Sequence, residues 1–373
     1  MKLNNSLAQL RTARRLPAAR LAAVVGISRQ TIYAIESGDY LPNTAVALKL
    51  ATALGVAVEQ IFRVEKSATS TTQAEVEVLS NGEQIKIGQP LQLCRVDNRL
   101  IAVAPELGTW SLPLADGIVT GAPKGAKRSA KASINLFEDS SAFEKRLLIA
   151  GCDPGISVLT RHLQRQGVDL IVEHRNSQRA LQLLHEGVIH VAGCHIRDEK
   201  TGESNLPAIL RLFRRQDVAV LSFTLWEEGL VVAHGNPRNI RSIADAARPR
   251  ISIVNRDIGA GSRLLLDEHL HKLGISSRKV RGYDRIANGH LPAARRVHSG
   301  EADCCVATEA VARILGLDFV PLESVRYDLV VRKRHLHLPQ VQALFNTLTR
   351  VGFRRELECL GGYDTSQTGQ RLI

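Results

Sequence analysis

From Arg146 onward, short apolar runs alternate with amphipathic stretches, and this alternation restricts what the chain can become. "RLLIAG", "VDLIVEH", "VIHVAG", "VAVLSF", "GLVVAHG", "ISIVN" and "DLVVRK" read as buried strands. Between several of them lie helical segments such as "SVLTRHLQRQ" and "SQRALQLLHEG". Strands that alternate with helices imply a parallel sheet covered on both faces, an α/β architecture over residues 146–373.

The preceding residues have other textures. Up to residue 65 the apolar positions recur at steps of three and four: Leu7 and Leu10, then Leu21, Val24 and Val25, then Ile32 and Ile35, then Val46, Leu50 and Leu54. That spacing predicts an all-α head over 1–65. "KSATSTTQ", Lys66 to Gln73, has the composition of a linker. "AEVEVLSNGEQIKIG" alternates on both sides of Asn81-Gly82, which predicts a hairpin and a small β-rich module over 74–121. The Gly-, Ala-, Ser- and Lys-rich stretch that follows reads as a second linker over 122–145.

Lys and Arg number 49 against 37 Asp and Glu, a net charge of +12, which favours an anionic partner such as nucleic acid. The segment through Lys66 carries nine Lys or Arg and four acids. None of the six cysteines forms a CxxC pair, which suits a reducing cytoplasm. The N-terminus has no apolar signal core, and no apolar run approaches the roughly eighteen residues of a membrane span.

"GISRQTIYAIESGDYLPN", Gly26 to Asn43, is the most legible stretch of the head. Ser28 is suited to cap a helix whose Ile32 and Ile35 face inward. Arg29, Gln30, Thr31 and Tyr33 are left around the outward face, and Gly38 ends the helix. Two helices joined by a short glycine turn form a helix-turn-helix, whose second helix reads the DNA major groove. Arg can bridge guanine O6 and N7, and Gln adenine N6 and N7. Periodicity alone also fits a plain helical bundle with a solvated face.

The pattern from Leu7 to Phe62 resembles the five-helix, lambda-repressor-like DNA-binding domain of the Xre family. The matching pieces are G-I-S-R-Q-T-I, I-E-x-G and P-N-x-x-x-A-L-K-L-A-x-A-L-G-V. The resemblance implies that Ser28, Arg29, Gln30 and Tyr33, with Thr31 beside them, meet bases or nearby phosphates, and that Asn43 meets a phosphate at a helix start. Ala18 stands where the family often has a phosphate-holding Gln, which shifts that duty to Arg14, Arg15 or Arg20.

In the α/β part, the loops after strands carry the candidate chemistry. "RDIGAGSR" joins a strand to a helix opening near Ser262, with Arg256 and Arg263 close by. It is neither a P-loop nor a dinucleotide fingerprint. Each loop alone could be an ordinary turn, but open α/β sheets bind ligands at such strand ends. Cys152 and Cys194, with His195, could hold a soft metal or sense redox state; buried space-filling is the commoner role of such cysteines.

"AGCDPGISVL", "SQRALQLLHEGVIHVAGCHIRDEKTGESN", "NRDIGAGSRLLLDEHL" and the closing "LGGYDTSQTG" resemble the periplasmic-binding-protein-like domain of molybdate-binding proteins, in its cytoplasmic version fused to DNA-binding heads. That resemblance implies two lobes around a ligand cleft. It places Asp153, Ser177, His195, Arg256, Gly259, Gly261, Ser262, Arg263, His290 and Tyr327 at the cleft. Cys152 joins them where the family commonly has His, and Gly289-His290 stands where T-H is common.

The expected protein is thus multidomain. It is expected to be a cytoplasmic, homodimeric one-component DNA-binding regulator rather than an enzyme, dimeric because helix-turn-helix proteins read paired half-sites. Its partners would be double-stranded DNA and a small anionic ligand such as molybdate, tungstate or a molybdenum-cofactor species, with no metal and no membrane. The alternative is an enzyme or carrier of molybdopterin metabolism with a DNA-binding head; no HExxH or GxSxG favours it.

Overall fold

The computed structural model describes residues 3–64, 73–79, 85–104, 115–124, 130–138, 140–198 and 201–373. The chain divides into two compact units, Met1–Thr72 and Gln73–Ile373.

The first unit has five helices: α1 (Leu7–Ala13), α2 (Ala18–Val25), α3 (Arg29–Ser37), α4 (Thr44–Leu54) and α5 (Val58–Ile61). Leu7, Leu21, Ile32, Ile35, Leu50, Leu54 and Ile61 are buried in one core, as their spacing requires. Gly26 and Gly38 close α2 and α3 at φ 78° and 84°, a region costly for other residues. Strands β1 (Leu3–Asn5) and β2 (Phe62–Val64) pair antiparallel and tie the two ends of the unit together. Arg11 donates to Glu36 at 2.6 Å, holding α1 against α3.

The second unit opens with a closed five-stranded barrel of β3 (Gln73–Leu79), β4 (Pro90–Val96), β5 (Arg99–Val103), β6 (Gly117–Lys124) and β7 (Ala130–Leu136), in the order β3-β5-β4-β6-β7. Two expectations are corrected here. The barrel needs β7 to close on β3, so the stretch read as a linker over 122–145 contains a strand and the turn Ser140–Phe143. β3 pairs with β5 and β7 rather than with the segment after Asn81-Gly82. The Asn81-Gly82 turn itself, and the linker residues 66–72, lie outside the described residues.

The α/β part is two-lobed. One lobe holds β8 (Leu147–Gly151), α6 (Ile156–Gln164), β9 (Leu170–His174), α7 (Ser177–Glu186), β10 (Val191–Cys194) and α8 (Leu206–Leu212). The chain then runs through β11 (Val218–Val232) into the second lobe, with α9 (Ile243–Ala246), β12 (Ile253–Arg256), α10 (Gly261–Lys272), β13 (Ile286–Ala287), α11 (His290–His298), β14 (Cys304–Thr308) and α12 (Glu309–Ile314). It returns along β15 (Asp318–Arg332), and α13 (Pro339–Leu348), α14 (Val351–Glu358) and β16 (Tyr363–Asp364) finish the first lobe. The sheet order is β13-β12-β14-β11-β15-β10-β8-β9, with β16 on β11.

Parallel pairing holds within each lobe, for β8 with β9 and β10 and for β12 with β13 and β14. The sheet is not parallel throughout, as the alternation suggested, because β11 and β15 run antiparallel along their length. "VAVLSF" and "GLVVAHG" belong to one strand of 15 residues. Register shifts at Ser222/Thr224 and Glu228/Gly229 bend this pair where one lobe gives way to the other.

The barrel shares a core with the first lobe: Cys94, Val96, Ile101 and Val103 pack with Leu148, Leu184, Val188 and Ile189. Arg146 clamps the seam, donating to Asp116 at 2.5 Å and to the Leu93 carbonyl at 3.0 Å. His190 is buried there, its Nδ1 accepting from the Leu148 N–H at 3.1 Å. Facing it are the Cys94 thiol at 4.0 Å and the ring of His335, which itself meets Asp97 at 3.0 Å beside Arg334.

Burial holds His190 down at about 4, and the neighbouring His335 pushes the same way. The folded chain therefore keeps it neutral at a pH where the unfolded chain, near 6.5, takes up a proton. Stability contributed this way is present above about 6.5 and is lost as pH falls towards about 4, by roughly 3 kcal/mol in all. We expect His190→Asn, which keeps an acceptor for Leu148, to flatten that part of the pH–stability curve. Urea unfolding at a series of pH values measures it, and an unchanged slope would count against this role.

Candidate functional site

The ends of β8, β10 and β12 and the starts of α6, α7, α10 and α11 meet between the lobes. Three of those helices, α6, α10 and α11, start without a side-chain cap, whereas Asn176 caps α7 by accepting from the Arg179 N–H at 2.9 Å. α10 and α11 thereby present first-turn N–H groups and positive potential to the space, whereas those of α6 are taken by the carbonyls of Asp153, Pro154 and Gly155. The lobes touch across it: Asn176 Nδ2 donates to Asp257 and, at 3.1 Å, to the Ile258 carbonyl.

At the centre is a buried cluster. Cys152 Sγ lies 3.4 Å from His195 Nε2 and 3.8 Å from His290 Nε2. His195 turns its other ring nitrogen to Glu228 Oε2 at 3.7 Å, and Ser262 donates to that carboxyl group. Trp226 and Tyr327 wall the histidines, with ring centroids 5.1 Å and 5.9 Å from His195. A cavity of about 200 Å³ opens on Cys152 and Arg256, with Arg175, Arg179 and Gly289 around it. Another of about 210 Å³ opens on His195, Glu228 and Gly261.

Arg256 is 2 % exposed, yet its Nε and Nη1 have no hydrogen-bond partner. Asp257 Oδ1 is 4.0 Å from Nε, too far for a hydrogen bond. Burial pushes the Cys152 thiol up to about 12, with Arg256 pulling weakly the other way. Burial and Arg256 hold His195 down at about 3 and His290 well below its usual value. Burial raises Asp153 and Glu228 to about 7. Arg175, Arg179 and Arg256 face the same cavity against Asp257, so its lining leans positive.

In the first unit, α3 presents its polar face. Ser28 caps it, accepting from the Thr31 N–H at 3.0 Å, and its hydroxyl lies 2.8 Å from that of Thr31. Arg29 and Gln30 are exposed, and Arg29 lies over the Tyr33 ring at 5.3 Å while donating to its hydroxyl at 3.1 Å. Tyr33, Tyr40 and Leu41 leave 45 %, 48 % and 65 % of their surface open near this face.

Residues 160–349 match the PBP superfamily domain, and residues 7–61 match a helix-turn-helix domain. The chain belongs to the PBP superfamily. The protein YvgK of Bacillus subtilis (strain 168) is 32 % identical over 228 residues, 61 % of this chain and 73 % of YvgK. The HTH-type transcriptional regulator YgzD of the same organism is 36 % identical over 64 residues, 17 % of this chain and 97 % of YgzD. The sulfate-binding protein SubI from Mycobacterium tuberculosis H37Rv covers 59 % of this chain and 86 % of its own at 18 % identity, with a TM-score of 0.44. No helix among the described residues is long and apolar enough to cross a membrane.

Within the PBP-like domain, the residues expected at the cleft divide into groups. Cys152, His195, Arg256 and His290 line the centre, as described. Asp153 and Ser177 stand beside it but serve the frame. Asp153 Oδ1 accepts from Tyr363 at 2.6 Å and from the Gly155 N–H at 2.7 Å, while Oδ2 has no partner. Ser177 accepts from the His195 N–H at 3.0 Å. Ser262 is spent on Glu228. Arg263 is a correction: its Nη1 donates to the Arg256 carbonyl at 3.0 Å and its guanidinium lies 4.7 Å over Tyr283, so it braces the loop from outside the cluster. Asn43 uses its side-chain oxygen to cap α4, accepting from the Val46 N–H at 2.9 Å. Cys194 is buried in the core shared with the barrel and pairs with Asp328 across β10 and β15.

Glu228, Trp226 and Thr308 were missed. The available signal was "WEEG" inside an otherwise apolar strand, since a carboxylate there needs a purpose. Thr308 pairs with Glu228 across β11 and β14, and its hydroxyl has no partner.

Small residues make the packing possible. A Cβ on Gly193 would sit 2.0 Å from the Tyr327 hydroxyl, and one on Gly261 would sit 2.4 Å from His195 Nδ1. Tyr327 in turn accepts from the Cys152 N–H at 3.2 Å. We expect Gly193→Ala to displace Tyr327 and destabilise the domain by about 3 kcal/mol, read by thermal or urea unfolding. A variant as stable as the parent would show that the ring yields freely.

Proposed function

We propose that this chain is a one-component transcriptional regulator: the helix-turn-helix unit binds operator DNA, and the PBP-like domain senses a small anion that biases that binding. The observation that carries the ligand class is Arg256, a buried guanidinium with two unpartnered nitrogens beside uncapped helix starts. A buried cation with two unpartnered nitrogens is costly, and an anion in the cleft relieves that cost. Tetrahedral oxyanions, molybdate and tungstate first, suit the cavity of about 200 Å³ and the donor-rich lining. The histidines, neutral through burial, act as donors or acceptors without adding charge.

Closure of two lobes around a solute supplies the two states that regulation needs, provided the solute prefers one. The regulator acts in the cytoplasm as a homodimer, each recognition helix reading one half-site. It catalyses no reaction in this reading. What supports the DNA partner is the helix-turn-helix match together with the exposed face of Arg29, Gln30 and Tyr33.

Calorimetry against molybdate, tungstate, sulfate and phosphate tests the ligand class. Arg256→Met should abolish the heat of the preferred anion while leaving the empty protein as stable as the parent or more so, because an uncompensated buried charge is removed. Unchanged binding in the variant would sink the anion reading. In a gel shift with the chain's own upstream DNA, Arg29→Ala should weaken specific binding by about 10- to 100-fold, the loss of one bidentate base contact, with anion affinity intact. Equal operator affinity would remove α3 from the role of reading helix.

A further inference from the structure

We propose that Cys152, His195 and His290 form a binding site for a thiophilic d10 cation, Zn²⁺ or Cu⁺, that joins the two lobes. One ligand atom from each residue lies within 4.8 Å of the others, and all three residues are buried. A tetrahedral ion with metal–sulfur about 2.3 Å and metal–nitrogen about 2.0–2.1 Å holds S and N about 3.6 Å apart. The observed separations, 3.4 Å and 3.8 Å, bracket that value.

Hydrogen bonding alone explains the arrangement less well. A thiol can donate to one imidazole and accept only weakly from a second, whereas a metal ion engages both Nε2 atoms and the sulfur at full strength. Glu228, facing His195 Nδ1 at 3.7 Å, favours the proton on that nitrogen and leaves a lone pair on Nε2 towards Cys152. At this separation the carboxyl group acts on the ring through charge rather than a hydrogen bond, and a small closure would bring it to the outer-group position that orients metal-binding histidines. His290 Nδ1 has no hydrogen-bond partner, so among the described residues the only polar group that ring faces through a nitrogen is the Cys152 sulfur at Nε2. The donor set of one thiolate and two imidazoles selects soft or borderline cations over Mg²⁺ or Ca²⁺.

Binding requires Cys152 to give up its thiol proton to solvent as the metal–sulfur bond forms; no electrons move. The charge of the ion is then met by the thiolate and by Glu228, which offsets the nearby Arg256. Cys152 and His195 belong to the first lobe and His290 opens α11 of the second, so one ion staples the cleft. Three protein ligands leave a fourth position open to a small donor.

The site shares its cleft with Arg256 but does not rest on the anion reading, and the two have separate readouts. Full-length protein carrying Cys359→Ser, to remove the exposed thiol, is stripped with chelator and titrated with Zn²⁺ against a chromophoric competitor, with Cu⁺ in a parallel arm. We expect about one ion per chain at ~1 µM or tighter, with about one proton released. Co²⁺ should give a thiolate-to-cobalt charge-transfer band in the same protein. Cys152→Ser and His290→Gln should each weaken binding by at least about 100-fold, and Glu228→Gln by about 10- to 100-fold. Uptake of Cu⁺ in place of Zn²⁺ supports the site and fixes the ion. Failure of both ions to bind, or Co²⁺ uptake without the charge-transfer band, overturns the proposal whether or not the variants fold. Full affinity in Cys152→Ser overturns it as well.

Discussion

The two long strands that belong to both lobes are the constraint on which the rest of the structure depends. β11 and β15 pair over nearly their whole length, and their register shifts fall at Ser222/Thr224 and Glu228/Gly229. One end of the pair is flanked by β10 and the other by β14. Near the middle, Trp226 and Tyr327 pack into the first lobe's core while turning to the cleft histidines, and Glu228 sits at the second register shift. They form a floor, and the loops of both lobes close over it. A sheet of this kind places strand ends and helix starts around one space, so its polarity follows from topology before any particular side chain is chosen.

Particular side chains then decide the character of that space. Burial neutralises both histidines, keeps the thiol protonated and brings two carboxyl groups near neutrality. The buried Arg256 lacks acceptors for two guanidinium nitrogens. Such an arrangement is unfavourable as an end in itself, because apolar residues of similar volume would fold as well or better. It becomes reasonable where something enters and completes the hydrogen bonding.

Much of the architecture was legible in the residues. Three- and four-residue spacing located the helical head because its core is built from one face of each helix. The Ser28 cap could be read because capping is local chemistry. Most strands of the α/β part could be read because they are apolar on both faces. What escaped depended on contacts far apart in sequence. β3 closes on β7 nearly sixty residues later, and no local pattern announces that partner. The antiparallel course of β11 and β15 is invisible in a strand–helix alternation. Among site residues, Arg256 and Arg263 looked equivalent beside the same glycine-rich loop. Only packing separates them, one turned into the cleft and the other laid over Tyr283. Glu228 was hidden because it acts through His195 and Ser262, residues distant in the chain.

The barrel's attachment is one-sided. Its apolar contacts and the Arg146 clamp fall on the first lobe. The first lobe and barrel thus share a frame of reference, and any widening of the cleft swings the second lobe as a lone jaw against a stationary anvil. A displacement there is measured from the barrel outward. The strands preceding the lobes in the chain would register opening as a change in what the far jaw exposes, without deforming their own seam.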